Sequence, residues 1–451
     1  MGHNPLTEGR IGPALLKFSI PFLLSSLLQA LYGAVDLLVT GQFAGTAAQA
    51  AVATGTQIMQ IVAGIAIGLS TGITVLIGHR FGAKDDEGSA QAIGSGTVTM
   101  IVLAVILTPV VLLATNFLVS VMHVPDEAVS SAQKYIFTCA CGIPFTVGYH
   151  AISAIFRGLG DSKRPLFFIA VACVINIAAD LILIGPFQLG ALGAALATVS
   201  AQAISFLLAL WYIAKKGLPF PLLRRHFAPQ RTSVLQIVKV GCPLALQEAL
   251  ITLSFLIITA IVNGISLTAS ASVGIVEKII YFAMLPPLSF ASAVAAMAAQ
   301  NLGAGKPERA FQTAKHGILY SLIFGILVCL YCQFFPQTLT AIFSKDSAVV
   351  SMAATYLRSY SLDCILVSFV FPLNSYFSGL GRSMISMIHS LLATFLVRIP
   401  VSYAMSRTVT TSLYGMGFAP PAASLASIVI LLVYFSFLRR KSPELFFDKK
   451  Q

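Results

Sequence analysis

Apolar residues in this chain come in long runs, each about the length of a bilayer crossing, separated by short polar connections. A helix needs roughly 20 largely apolar residues to cross about 30 Å of hydrocarbon. Read at that scale, the sequence predicts twelve spans, at about 15–38, 51–77, 91–117, 131–156, 165–188, 189–214, 236–262, 271–299, 311–337, 352–378, 384–406 and 411–438. The connections leave no room for a soluble catalytic or nucleotide-binding domain. The first run starts too early and extends too far for a cleaved signal peptide, so it is expected to be retained.

The pattern occurs twice. KYIFTCACGIPFTVGYHAISAIFRGLGDS (134–162) and TYLRSYSLDCILVSFVFPLNSYFSGLGRS (355–383) share a Tyr, a Phe-x-Gly-Leu-Gly ending and a final Ser at an offset of 221. GHRFGAK (78–84) answers AQNLGAG (299–305), and KFSIP (17–21) answers KVGCP (239–243) with a one-residue adjustment. Six spans per half is an even number, so both halves enter the membrane in the same orientation, related by an axis along its normal. The expected fold is therefore an all-α integral membrane protein: twelve transmembrane helices in two six-helix bundles related by a pseudo-two-fold. Its parts are 1–214, a cytoplasmic linker at 215–235, 236–438, and a cytoplasmic tail at 439–451. Pro286 and Pro287 in span eight, matched by Gly64, Ala66 and Gly68 in span two, predict paired interruptions. At membrane depth these mark either a translocation path or close packing through small residues. GLGDSK (158–163) resembles a phosphate loop, but its repeat partner GLGRSM lacks the Lys and no strand precedes either, so both read as glycine-rich turns.

Composition narrows the picture. Hydrophobic residues make up 57% of the 451 and charged residues 10%, with a mean hydropathy of +0.88, which excludes a soluble globular protein. A net charge of +12 would suit nucleic acid, but Lys and Arg gather in alternate connections, as at Arg80 and Lys84, at Arg157, Lys163 and Arg164, and at Lys215, Lys216, Arg224, Arg225 and Arg231. By the positive-inside rule both termini face the cytoplasm of a cell (inner) membrane, the partner is the lipid bilayer, and no nucleic acid is expected. Seven cysteines fall in or beside apolar spans, and the Cys329 and Cys332 pair lacks the second pair a zinc site needs. No nucleophile–base spacing suggests an enzyme, and no cofactor is expected.

Charge inside the spans is rare and therefore informative. An ionised Asp near a helix centre costs about 3 kcal/mol on insertion scales and usually serves ion or proton movement. Asp36 shares a helix face with Tyr32 and Gln29, while Asn176 and Asp180 lie four apart on span five, and span six offers Thr198. Two carboxylates, an amide oxygen and a hydroxyl make an all-oxygen set for a monovalent cation such as Na+, or for a proton held on an acid. The second half carries Glu248 and Asp363 as a second acidic candidate, and Glu277 beside Lys278 reads as a local ion pair. Two packed bundles usually enclose a cavity at their interface, and Gln29, Tyr32, Asn374 and Phe377 are expected to line it.

These residues resemble the multidrug and toxic compound extrusion (MATE) transporters of the MOP flippase superfamily, over nearly the whole chain. FSIPFLLSSLLQALYGAVD (18–36) is similar to the family's first helix, and NIAADLILIGPFQLGALGAALATVSAQ (176–202) to its fifth and sixth. GHRFGAKD, AQNLGAGKPERA and FRGLGDSKRP resemble its cytoplasmic connections. The resemblance implies antiport, with inward H+ or Na+ driving export of amphipathic organic compounds by alternating access, in a monomer. It places the coupling cation at Asp36, Asn176, Asp180 and Thr198. Members using a site in the carboxy half place their acids about one turn from Glu248 and Asp363, so the amino-half set matches better. A flippase for a lipid-linked saccharide, of the same superfamily, is the alternative.

Overall fold

The computed structural model describes residues 6–122, 124–407 and 413–447, and among them the chain is helical without strands. The helices are α1 (Ile11–Phe43), α2 (Gly45–Gly82), α3 (Asp86–Val121), α4 (Asp126–Cys141), α5 (Ile143–Gly158), α6 (Lys163–Ile184), α7 (Gly190–Lys216) and α8 (Arg231–Asn263). They continue as α9 (Leu267–Gly303), α10 (Pro307–Phe334), α11 (Pro336–Thr340), α12 (Ser347–Ser361), α13 (Asp363–Gly379), α14 (Ser383–Ala393), α15 (Ile399–Ser406) and α16 (Ala419–Lys441). A π-helical turn, Thr394–Arg398, joins α14 to α15 as one span. Among the described residues ten segments are long and apolar enough to cross a bilayer, and two bent pairs bring the number to as many as twelve. The outer faces suit lipid: Leu113 is 87% exposed and Phe117 68%. The twelfth expected span began at 411; residues 411–412 lie outside the described ones, and its helix is seen from Met416.

The expected interruptions of spans two and eight are not there. α2 runs unbroken through Gly64, Ala66 and Gly68, and α9 through Pro286 and Pro287. The paired breaks fall instead in spans four and ten, where α4 meets α5 at 47° and α12 meets α13 at 44°. Gly142 and Pro144 account for the first, since a proline in the opening turn of a helix lacks the donor that would continue the previous one. In the second, the freed carbonyl of Arg358 accepts from Gln333 Nε2 at 2.7 Å, so the break leaves no orphan there.

The repeated Phe-x-Gly-Leu-Gly ending has a structural cause in both copies. Its first glycine lets helices touch: a Cβ on Gly158 would sit 3.0 Å from Thr74 O, and one on Gly379 would sit 2.8 Å from Ala295 O. Its second, Gly160 or Gly381, closes the helix in the left-handed region at φ +85° or +73°. Asp161 Oδ1 then accepts from the Lys163 and Arg164 amides, at 3.0 and 3.2 Å, and opens α6. GLGDSK is thus a turn and cap.

The chain divides into two compact units, and the division runs through two helices. An amino unit comprises Leu24–Ala245, and a carboxy unit comprises the described residues up to Leu23 and those from Leu246 onward. The halves expected at 1–214 and 236–438 differ from this at both ends, because the opening stretch of each first helix belongs with the other half. In the carboxy unit Leu6, Leu15, Phe18 and Phe22 join a core with Met297, Tyr376 and Phe377. The backbone before α1 is also held there, with Asn301 Nδ2 donating to Leu6 O at 3.1 Å and Arg309 to Gly9 O at 2.7 Å and Glu8 O at 2.9 Å. In the amino unit Ile237 joins the core, and Gln91 Nε2 donates to His226 O and Ala228 O at 3.3 and 2.7 Å. A Cβ on Gly94 would lie 1.9 Å from His226 O, so this glycine admits the linker backbone.

Candidate functional site

Within the amino unit α1, α6 and α7 bring Asp36, Asn176, Asp180 and Thr198 together. The four-residue spacing of Asn176 and Asp180 puts both on one face of α6, where they are 1% and 0% exposed. Asp36 is 5% exposed; the next turn of α1 is tied back by Thr40 Oγ1, which donates to Asp36 O at 2.6 Å. Thr198, half-buried on α7, donates to Asp36 Oδ2 at 3.2 Å. Asp180 and Asn176 also lie within interaction range of the Asp36 carboxyl.

Most of the polar atoms in this cluster make no close hydrogen bond among the described residues. Asp36 Oδ1, both carboxylate oxygens of Asp180 and both amide atoms of Asn176 are buried without a hydrogen bond. Among the described residues no Lys, Arg or His acts on either carboxyl. Buried polar atoms are almost always satisfied, and an uncompensated buried charge costs several kcal/mol. Such a cluster suits a hard monovalent cation held by oxygens, or a proton bound by the pair. Among the described residues no group of three His, Cys, Asp or Glu could hold a metal ion, and all seven cysteines are free.

The second acidic candidate does not assemble. Glu248 lies exposed on α8, while Asp363 is 6% exposed at the first turn of α13 and interacts with Ser424 and Arg398. Nor do Glu277 and Lys278 pair: Lys278 is exposed, and the charge acting on Glu277 is Arg398. Arg398 thus organises the polar residues of this unit, a role the sequence reading missed. The signal was a cation inside an apolar span, two residues before Pro400.

The expected substrate contacts divide. Gln29, Tyr32 and Asn374 are half-buried, with Gln202 Nε2 3.5 Å from Tyr32 Oη and His389 Nε2 3.2 Å from Asn374 Oδ1. Phe377 is a correction: it is fully buried in the carboxy unit, edge-on to Tyr434 at 5.3 Å, and presents no surface to a ligand. It lies three residues past Asn374, but its ring is turned into the core among Tyr376 and Tyr434.

Known proteins share this plan. The chain is 26% identical over 431 residues to a probable multidrug resistance protein, YoeA, of Bacillus subtilis, covering 94% of this chain and 93% of that one. It is 27% identical over 444 residues to a second from the same organism, YpnP, covering 98% and 99%. A solved structure described as MATE in complex with MaL6 superposes with a TM-score of 0.90 at 22% identity, covering 98% of each chain, a likeness of fold. The sequence profile of the MatE family matches residues 21–182 and again 243–404, so the internal repeat is that of the family, and the chain belongs to it.

Proposed function

We propose that this protein is a cation-coupled antiporter that exports amphipathic organic compounds across the cell membrane, taking H+ or Na+ inward at Asp36, Asn176, Asp180 and Thr198. The observation that carries the reading is the buried pair Asp36 and Asp180, with no basic side chain of the described residues acting on either. Two adjacent buried carboxyls cannot both stay ionised cheaply, so the pair takes up a proton or a cation whenever it is closed off from water. Releasing that charge on one side and accepting it on the other, as access alternates, links its gradient to substrate movement. The Bacillus subtilis relatives, described as probable multidrug resistance proteins, support drugs as the exported class. Gln29, Tyr32 and Asn374 are the side chains offered to that substrate.

The test is dye export from proteoliposomes with a pH gradient and a sodium gradient imposed separately. One gradient should accelerate export, and the Asp36→Asn protein should lose that response. Export indifferent to both gradients would overturn the reading.

A further inference from the structure

The two copies of the family repeat place unlike residues at equivalent positions. The matched segments begin at 21 and 243 and end at 182 and 404, an offset of 222. In that register Asn176 falls on Arg398, Asp180 on Ser402 and Asp36 on Ile258. The connections earlier in the repeat run at 221, and the π-helical turn Thr394–Arg398 is where a helix takes in an extra residue. The carboxy unit thus has an apolar residue where the amino unit has Asp36, a serine in place of Asp180, and a cation in place of the amide. Ile258 and Ser402 are 4% and 3% exposed, so both positions are as enclosed as their counterparts.

The surroundings of Arg398 fit a fixed charge. Its guanidinium carbon sits 4.1 Å from the centre of the Phe255 ring, one helical turn before Ile258 on α8. One terminal nitrogen donates to Tyr360 Oη at 3.3 Å, and Asp363 and Glu277 lie within electrostatic reach. Asp363 is also the first residue of α13, where the positive end of the helix favours a carboxylate. Ser424 also interacts with Asp363, whose Oδ1 is otherwise buried without a hydrogen bond among the described residues. The acids of the amino unit thus face no cation among the described residues, whereas Asp363, at a different position of the carboxy unit, has one within reach on a side chain that cannot leave or deprotonate.

We infer that Arg398 is a resident cation of the carboxy unit, standing where the repeat would otherwise receive a mobile one, so that Asp363 is charge-balanced throughout the cycle and coupling runs through the amino unit alone. This rests on the reading of Asp36 and Asp180 as the coupling site. Arg398 acts on Asp363 as a positioning residue and is not itself transported.

The experiment silences the amino unit first. In full-length protein carrying Asp36→Asn and Asp180→Asn, bound cation is measured with radiolabelled Na+ and by proton uptake. With Arg398 present, no saturable binding attributable to Asp363 is expected. Adding Arg398→Met should create a site for one cation per chain, lost again on Asp363→Asn, while Arg398→Lys should create none. Saturable binding that depends on Asp363 with Arg398 in place would overturn the inference, as would a well-folded Arg398→Met protein that gains no site. Arg398→Gln replaces Arg398→Met if that variant is not monodisperse, and the measurement with Arg398 intact decides by itself. Because the amino unit is already disabled, failure here is distinct from failure of the coupling reading, which is tested by comparing wild type with Asp36→Asn.

Discussion

Thr198 donates its hydroxyl to Asp36 Oδ2 at 3.2 Å, joining α7 to α1 across the cluster that holds Asp180 and Asn176. This bond ties Asp36 to α7 through a neutral hydroxyl, so its loss and the loss of the carboxyl itself should have different effects. Asp36→Asn or Asp180→Asn keeps the shape and fixes a neutral state; substrate binding should survive while gradient-driven export stops. Thr198→Ala removes a hydrogen bond to the ionised carboxylate worth about 1 kcal/mol, so cation affinity should change by only roughly fivefold, with export retained. Dye export from energised vesicles, with expression and dye affinity followed in parallel, separates these outcomes. Wild-type coupled export from the Asp36→Asn protein would make that acid merely structural.

Two glycines of the carboxy unit should respond to alanine for different reasons. A Cβ on Gly379 meets the Ala295 carbonyl at 2.8 Å, and backbone cannot step aside, so Gly379→Ala should cost about 1–3 kcal/mol by overpacking. Gly305 has open space around its Cβ position but a φ of +70°, so Gly305→Ala should cost about 1 kcal/mol from backbone strain alone. Its counterpart Lys84 already carries a side chain at φ +59°. Thermal unfolding in detergent should rank Gly379→Ala below Gly305→Ala; the reverse order would remove the close-packing explanation.

The linker contact in the amino unit offers a third test. Glu87 accepts from Arg225 at 3.2 Å and from His226 at 3.1 Å, but the Glu87 and Arg225 side chains are largely exposed, so Glu87→Gln should change stability by less than about 1 kcal/mol. Gly94→Ala drives a methyl into the His226 carbonyl, and there the linker backbone must shift. Limited proteolysis between 217 and 230 should accelerate in Gly94→Ala and stay unchanged in Glu87→Gln. Equal cleavage of both proteins would show that the glycine contact does not hold the linker.

The twelve spans were legible because apolar run length is a strong signal, and the repeat because turn glycines such as Gly160 and Gly381 answer a backbone need that few other residues meet. Bends were read poorly. Pro286 and Pro287 suggested a break, yet α9 continues through both, while the bend between Ser361 and Asp363 has no proline at all. Asp36, Asn176, Asp180 and Thr198 could be grouped from sequence because acids are so rare in the spans, and the four-residue spacing on α6 fixed a shared face. Arg398 was visible as a cation two residues before Pro400 in span eleven, but its equivalence to Asn176 was not, because one extra residue in a π-helical turn shifts the register and helical periodicity does not reveal such an insertion. The division within α1 and α8 was equally hidden, since a helix continues through Leu23 and Ala245 without any local mark.

Orientation in the membrane follows from charge. Arg225 and Thr46 are both exposed, on connections expected to face opposite sides. In a cysteine-free background, a cysteine at Thr46 should label with an impermeant reagent added outside intact cells, and one at Arg225 should not. Strong external labelling at Arg225 would sink the arrangement with both termini in the cytoplasm.

The residues once grouped as substrate contacts should separate under mutation. Tyr32 and Asn374 are half-buried and each keeps a single long side-chain hydrogen bond, to Gln202 and His389. Tyr32→Ala and Asn374→Ala should therefore redistribute resistance among exported compounds while leaving the amount of folded protein nearly unchanged. Phe377 is a core ring between Tyr376 and Tyr434, and truncating such a residue costs about 3–5 kcal/mol, so Phe377→Ala should lower yield and melting temperature and weaken resistance to every compound in proportion. Resistance profiles normalised to the protein present in the membrane distinguish the two behaviours. A selective profile change in Phe377→Ala at normal protein levels would mean that its ring reaches substrate in another state of the transport cycle. An unchanged profile in both other variants would remove Tyr32 and Asn374 from the substrate path.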